Sequence, residues 1–378
     1  MTTTDKKIIR AVTVPGSLGF CRDIMIQMRE MGYEMIAVSS PGEKLDELRD
    51  KYGFTTYAVP MARHISLLGD IKSLIRMIKV FRKEKPQMVH SLTPKAGLIC
   101  MMAAWLTNVP VRVHMFTGLV WPTSKGLKRK ILMATDWLTC ACATHVIPEG
   151  QGVLNDLKNG GITKKPMKVL GYGNVRGIDL ERFDPRRFTD VQKDNNTFTF
   201  IFVGRITGDK GINELVKAFV QLNEKCPDTR LVLVGRYESD LDPLKPETRQ
   251  KIDSCKAIDA CGPKYGDDLL REYMKSDCFI MPSYREGFPN TVLEAGAMGL
   301  PSIVTDINGS REIIVDGENG LIVPPQTVQP LYDAMVRIMN DNELREKMQR
   351  NARPMIESRF ERSFVQGCLL DFYDEVLK

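Results

Sequence analysis

The sequence predicts an α/β protein of two doubly wound, Rossmann-like parallel-sheet domains followed by C-terminal helices. Three observations carry that expectation. The chain has 378 residues, more than one core of ordinary size holds, so two domains or more are expected. Short β-branched apolar runs alternate with stretches of helical period, which is a βα repeat and implies parallel strands with helices on both faces. The alternation breaks once, at the polar stretch IDLERFDPRRFTDVQKDNNT (178–197), which carries Pro185 and neither period and reads as a linker.

Taken in order, the first half offers strands at IIRAVTV (8–14), EMIAVSS (34–40), TTYAVP (55–60), QMVHSL (87–92), VRVHMF (111–116), THVIP (144–148) and MKVLGY (167–172). Helices are expected between them near 22–31, 64–84, 95–107, 127–143 and 149–159. The second series runs TFTFIFVG (197–204), RLVLVG (230–235), AIDACG (257–262), CFIMPS (278–283), PSIVTD (301–306) and GLIVPP (320–325). After Pro325 the pattern is wholly helical through 326–341, 342–359 and 363–378. The domains so read are 1–190 and 191–357, with a last helix, 358–378, able to pack back on the first domain.

Composition narrows the class. At 43% hydrophobic and 26% charged residues the chain should fold as a soluble protein. The net charge of +6 hides a division: residues 1–190 hold 29 Lys and Arg against 17 Asp and Glu, and residues 191–378 hold 24 against 30. A basic half and an acidic half argue for two bodies with different partners. The nine cysteines form no zinc spacing and several sit in apolar runs, so no metal site and a reducing cytosol are expected. The N-terminus lacks the apolar stretch of a signal peptide. The longest apolar run, Leu98 to Leu106, is far short of the roughly 20 residues that span a bilayer.

Open α/β sheets bind ligands at the carboxyl ends of their strands, where helix N-termini point partial positive charge outward. The strand-to-helix turns are therefore the places to look. The first is Pro15-Gly16-Ser17-Leu18-Gly19-Phe20, whose glycines let backbone amides approach a phosphate or sugar; the plain alternative is a tight turn. It is no GxGxxG element, and no acidic residue ends the second strand, so nicotinamide binding is disfavoured. The first turn of the second series runs from Gly204 to Gly211, with Arg205 as a planar multidentate donor and Lys210 as a point charge able to wrap a diphosphate. Alone, these could be mere solvated cations. The third, Pro282 to Ala295, follows the strand CFIM and opens a helix near Pro289. Here Glu286 would lie in the loop and Glu294 about two turns on, while Gly287, Phe288 and Asn290 would offer helix N-terminal amides to an anion. Carboxylates accept paired hydrogen bonds from vicinal hydroxyls, which suits a sugar. The plain alternative is an N-capping Glu286 and an exposed helical Glu294.

Together these turns resemble a known family. EGFPNTVLE (286–294), with the loop Gly204–Gly211 before it and Gly299-Leu300-Pro301 and VDGENGLIVPP (315–325) after it, resembles the donor half of retaining glycosyltransferases of family 4, which have the GT-B fold. HSLTPKAGL (90–98), GLKRK (126–130) and NVRGIDLERFDP (174–185) resemble the branch acting in bacterial capsule, O-antigen or lipid-linked glycan assembly. The resemblance implies two Rossmann-like domains facing a cleft, the first for the acceptor and the second for a nucleotide-sugar donor, expected to be a UDP-sugar. Arg205 and Lys210 would hold the donor diphosphate, and Glu286 the hexose. Gly287, Phe288, Pro289 and Asn290 would frame sugar and phosphate, and Glu294 would bind the ribose. Gly16 and Ser17 would approach from the first domain. No metal or other cofactor is implied, since cations and helix dipole offset the charge on the leaving diphosphate. Many members place a histidine before a glycine after the fourth or fifth strand; here Thr117 precedes Gly118 and the nearest histidine is His114, whose plain reading is a satisfied core residue. Two rivals remain at this point: a UDP-sugar epimerase or hydrolase of the same fold, and a non-catalytic nucleotide-sugar binding component of a glycan assembly complex.

The basic half adds a partner. Residues 64–85 set Leu68, Ile71, Leu74, Ile75, Ile78 and Phe81 on one helical face and Lys72, Arg76, Lys79 and Lys83 on the other, and Lys125, Lys128, Arg129 and Lys130 open a later helix. The plain reading is a core helix with a solvated cationic back. The sharper one is contact with an anionic membrane surface that brings a polyprenyl-diphosphate-linked acceptor to the first domain. A cytoplasmic protein, peripheral at the inner face of the membrane, is expected. No helix-turn-helix, RNP or zinc pattern supports nucleic acid as a partner.

Overall fold

The computed structural model describes residues 7–62, 66–238 and 242–378. The chain divides into two compact units, one running to Arg176 and taking in Val365–Lys378, the other Gly177–Phe364. In the first unit the strands are β1 (Lys7–Ala11), β2 (Glu34–Ser39), β3 (Thr55–Ala58), β4 (Met88–Leu92), β5 (Val111–Phe116) and β6 (His145–Pro148). In the second they are β7 (Phe198–Val203), β8 (Thr229–Val234), β9 (Ile258–Gly262), β10 (Cys278–Met281), β11 (Ser302–Thr305) and β12 (Gly320–Val323). All pairs are parallel, in the orders β3-β2-β1-β4-β5-β6 and β12-β11-β10-β7-β8-β9. Counted along its own chain, each sheet has the doubly wound order 3-2-1-4-5-6. The order reverses between β1 and β4 in one sheet and between β7 and β10 in the other, and these are the switch points where such sheets take ligands.

The strands are where the apolar runs lie because both faces of each sheet are covered. Ile8 and Ile9 on β1, and Phe200, Ile201 and Phe202 on β7, point to opposite faces and are all fully buried. Helices stop where the backbone chemistry stops them. The helix Leu67–Glu84 ends at Lys85 in the left-handed conformation, followed by Pro86, which cannot continue it.

Four expectations need correction. MKVLGY (167–172) is not a strand: it would lie outside β6, the edge of the sheet, and only Met167 bridges Val146. The helix Glu43–Asp50 was not expected, because only Leu45 and Leu48 of its eight residues reach the core. Residues 177–190 are no loose linker. Ile178, Phe183 and Phe188 are buried in the second unit's core, and the Arg353 guanidinium donates to the carbonyls of Leu180, Phe183 and Ala297. On the helix Leu67–Glu84 the core side is formed by Ser73, Met77, Val80 and Phe81, so Leu68, Ile71 and Ile75 face outward beside the lysines. The Ser73 hydroxyl lies on that core side, within reach of the Pro60 carbonyl outside the helix and the Gly69 carbonyl within it; the proposed helical start at residues 64 and 65 lies outside the described residues.

The last helix, Arg362–Val376, belongs mostly to the first unit. Val365, Leu369 and Tyr373 are buried there, and the Tyr373 hydroxyl meets the fully buried Arg10 of β1 and His90 of β4. Burial, with the Arg10 charge beside it, holds His90 neutral, well below the usual histidine range.

Candidate functional site

The site builds from the second unit's switch point. After β7 the chain turns through Gly204–Gly211 into the helix Ile212–Lys225; after β10 it turns through Pro282–Pro289 into the helix Asn290–Ala297. The two turns are pressed together. Gly211 has φ +72, and a Cβ there would stand 2.0 Å from the Pro282 carbonyl oxygen, so only glycine permits the approach. Gly309 does the same from the other side, where a Cβ would stand 2.3 Å from the Gly287 oxygen.

Polar groups complete the seam. The Tyr284 amide donates to the Asp209 carbonyl at 2.9 Å, and the Tyr284 hydroxyl donates to Glu214 at 2.7 Å. Asp209 is itself held: its amide donates to Asp242 at 2.5 Å, its carboxylate accepts from the Thr207 hydroxyl at 2.6 Å, and Arg285 stands 3.6 Å away. Asp209 and Arg285 were not among the expected residues. Their signals were present, an acidic residue four after Arg205 and a cation beside Glu286, but neither says which loop the charge reaches.

Across this seam the expected residues meet. The Lys210 ammonium pairs directly with the Glu286 carboxylate, both side chains being only 15% exposed. Such a pair is largely dry, so each charge depends on the other. Arg205 lies further out, its guanidinium 3.2 Å from Glu238 and 3.9 Å from Asp209. Gly204 is locked to the sheet by its amide, which donates to the Val234 carbonyl. Glu286 is not a helix cap. Pro289 holds that position with no side-chain hydrogen bond, and Asn290 begins the helix. Phe288 is buried edge-on against Phe360, 5.4 Å between ring centres, which anchors the turn. Glu294 is half-buried rather than exposed, and the fully buried Tyr273 hydroxyl donates to it at 3.4 Å. Burial and that carboxylate push the Tyr273 phenol well above its usual range, so it stays a donor.

The arrangement offers two cations and a helix N-terminus for a diphosphate and two carboxylates for hydroxyl pairs, all on one edge of one sheet. The first unit carries its own candidates. Gly16 and Ser17 lie in the turn Pro15–Phe20 after β1, and nothing lies within 4 Å of where a Gly16 Cβ would be. His114 is inside the first unit. Its Nδ1 pairs with the Ser91 hydroxyl at 2.9 Å, its ring meets Phe116 edge-on, and a Cβ on Gly97 would be 2.3 Å from the ring. Burial pushes its pKa down to about 3. The geometry is that of the satisfied core histidine, with no surface to offer a substrate.

Comparison with known proteins supplies the family. Residues 184–355 match the family described as "Glycosyl transferases group 1", and residues 20–173 match the "Glycosyl transferase 4-like domain". The chain is 31% identical over 385 residues to the "Capsular polysaccharide biosynthesis glycosyltransferase CapM" of Staphylococcus aureus, covering 99% of this chain and 98% of that one. It is 30% identical, over 79% of this chain and 78% of the other, to the Escherichia coli "UDP-Gal:alpha-D-GlcNAc-diphosphoundecaprenol alpha-1,3-galactosyltransferase". In fold it is similar to Anabaena HepE in complex with UDP and glucose, with a TM-score of 0.80 at 18% identity over 98% of this chain and all of that one.

Proposed function

The chain belongs to the group 1 glycosyltransferases with a 4-like first domain, and on that premise we propose that it moves a sugar, with retention at the anomeric carbon, from a UDP-sugar to a polyprenyl-diphosphate-linked acceptor. The place of reaction is the inner face of the bacterial membrane, on an anionic surface, in surface-glycan assembly. The observation that carries this reading is the Lys210–Glu286 pair at the second unit's switch point. A donor diphosphate arriving there gives Lys210 a second anion to neutralise, while Glu286, relieved of part of its tie, accepts from the hexose hydroxyls. Arg205 and the amides of the helix Asn290–Ala297 share the charge that grows on the leaving UDP, and with these groups in place no metal is needed. Glu294, oriented by Tyr273, accepts from the ribose hydroxyls. The S. aureus and E. coli relatives, one in capsule synthesis and one named for a diphosphoundecaprenol acceptor, support the acceptor class.

The test is turnover of labelled UDP-sugars on undecaprenyl-diphosphate-linked saccharides, with the product anomer read by NMR. Lys210→Ala should lower kcat about 100-fold or more, the size of losing one transition-state charge partner, whereas Glu294→Ala should chiefly raise the donor KM and weaken UDP binding. Wild-type kinetics in both variants would remove these residues from the site, and an inverted anomer would refute retention.

A further inference from the structure

On the helix Leu67–Glu84 three of the six apolar residues expected on the core side, Leu68, Ile71 and Ile75, face out, while Leu74, Ile78 and Phe81 pack inward. Leu67, Leu68, Ile71 and Ile75 are 76, 77, 55 and 49% exposed. They form one outward stripe, with Lys72, Arg76 and Lys79, also exposed, along its flank. A second group repeats the pattern: Leu127, 73% exposed, and Ile131 open the helix Gly126–Cys142 among the exposed Lys125, Lys128, Arg129 and Lys130. Both helices follow strands of an all-parallel sheet, so both begin at its carboxyl edge. The helix Pro94–Leu106 packs between them, and Lys95 in its first turn pairs with Asp70 in the first turn of Leu67–Glu84 at 2.5 Å. The two apolar groups therefore share the edge that carries the first unit's switch point, between β1 and β4.

We propose that this edge is a membrane-docking face whose apolar first turns enter the headgroup region of an anionic bilayer while the flanking cations bind lipid phosphates. It rests on the reading that the acceptor is lipid-linked, and goes beyond the purely electrostatic contact that the basic half suggests. The chemistry chooses the occupant. Beside the two apolar groups stand Lys72, Arg76, Lys79, Lys125, Lys128, Arg129 and Lys130 with no exposed acid among them; Asp70 and Glu84, the acids nearby, are tied to Lys95 and to Lys7 and Tyr57. Protein interfaces deplete lysine at their apolar centres. A bilayer surface takes up bulky aliphatic groups at the acyl boundary and lysine or arginine at the phosphates together. No helix among the described residues is long and apolar enough to cross a membrane, so attachment through these residues is interfacial. Docked this way, the turn Pro15–Phe20 and the start of Pro94–Leu106 lie at the level where a lipid-borne diphosphate stands.

The experiment uses the full chain and vesicles of phosphatidylcholine with or without phosphatidylglycerol. Sedimentation should show binding that needs phosphatidylglycerol and that falls with salt to a residual level, the residue being the apolar part. Leu68→Asn with Ile71→Asn should lose about tenfold in vesicle affinity and the salt-resistant part entirely, with UDP binding unchanged. Lys128→Gln with Lys130→Gln should lose mainly the salt-sensitive part. Equal binding by the aliphatic variant, binding indifferent to phosphatidylglycerol, or dimerisation through this face without vesicle binding would each overturn the proposal. Vesicle binding as expected, with no turnover of any lipid-linked acceptor, would uphold the face and overturn the acceptor reading alone.

Discussion

The two units are built on the same sheet order, yet their switch points are closed by different chemistry. In the second unit the turns after β7 and β10 are joined by a dry ion pair, Lys210 with Glu286, and by a glycine pressed onto a carbonyl. In the first unit the positions after β1 and β4 are joined by hydroxyls: Thr13 Oγ1 and Thr93 Oγ1 are 2.7 Å apart, and Thr13 Oγ1 also accepts from the Ala96 amide. Thr93 has φ +71, uncommon for a β-branched residue. Topology thus decides where a ligand can sit, and a handful of side chains decides what it can be. The charge balance sharpens the point. The acidic half of the chain holds the proposed diphosphate site, so anion binding there would rest on local groups, while many cations of the basic half lie on outward helix faces.

The largest effect should come from removing the ion pair piecewise. Glu286→Ala leaves the Lys210 ammonium mostly buried without its partner and should destabilise the second unit by up to about 3 kcal/mol, whereas Glu286→Leu with Lys210→Met should restore most of that loss, since a dry pair replaced as a whole by apolar groups is often near neutral. Activity should stay absent in both. Thermal melts with and without UDP separate the two effects, and a double variant that is stable and fully active would show the pair to be structural only.

In the first unit the matching test is Tyr373→Phe. The Tyr373 hydroxyl is a partner of both Arg10 and His90, three groups that are completely or almost completely buried. Losing it should cost about 1–3 kcal/mol, the penalty of leaving buried polar groups short of a partner. The loss should appear as a lower midpoint for the first unit, with UDP binding by the second unit unaffected. A drop in UDP affinity instead would mean that the last helix influences the donor side.

These differences show what a sequence can convey. The twelve strands were legible because a strand covered on both faces must be apolar along its length, and only MKVLGY misled, being apolar without a neighbour to pair with. The candidate turns were legible because glycines, a proline and charges crowd into short segments between strand and helix. Rotation about a helix axis was not: the helix Leu67–Glu84 has two apolar stripes, and the one that meets the core is the one whose Met77, Val80 and Phe81 find partners on other elements, with Ser73 reaching the Pro60 carbonyl. Nor was depth, which makes His114 a core residue through Gly97 and Ser91, neither of which neighbours it in sequence. Asp209 was hidden because its role is to tie loops that only the sheet order brings together.

The smallest effect concerns acidity and again divides the buried groups of the first unit. His114, held at about 3, and His90, also held well below its usual range, stay neutral where the unfolded chain binds protons near pH 6.5. Their contribution to stability is therefore complete above about pH 6.5 and is lost as pH falls below it. Asp136, in the helix Gly126–Cys142, is pushed up to about 7 by burial, against an opposing contact with the Trp121 indole. It keeps its proton in the fold where the unfolded chain has released it, so its contribution is present at low pH and is lost as pH rises from about 4 to 7. Over the same window the two act with opposite sign. Asp136→Asn removes only the second, so relative to the variant the wild type should lose about 2 kcal/mol between about pH 5 and pH 7 and little more by about pH 8. Melts of both proteins across the window read it directly, and parallel curves would place Asp136 in contact with water and return its carboxyl to the ordinary range.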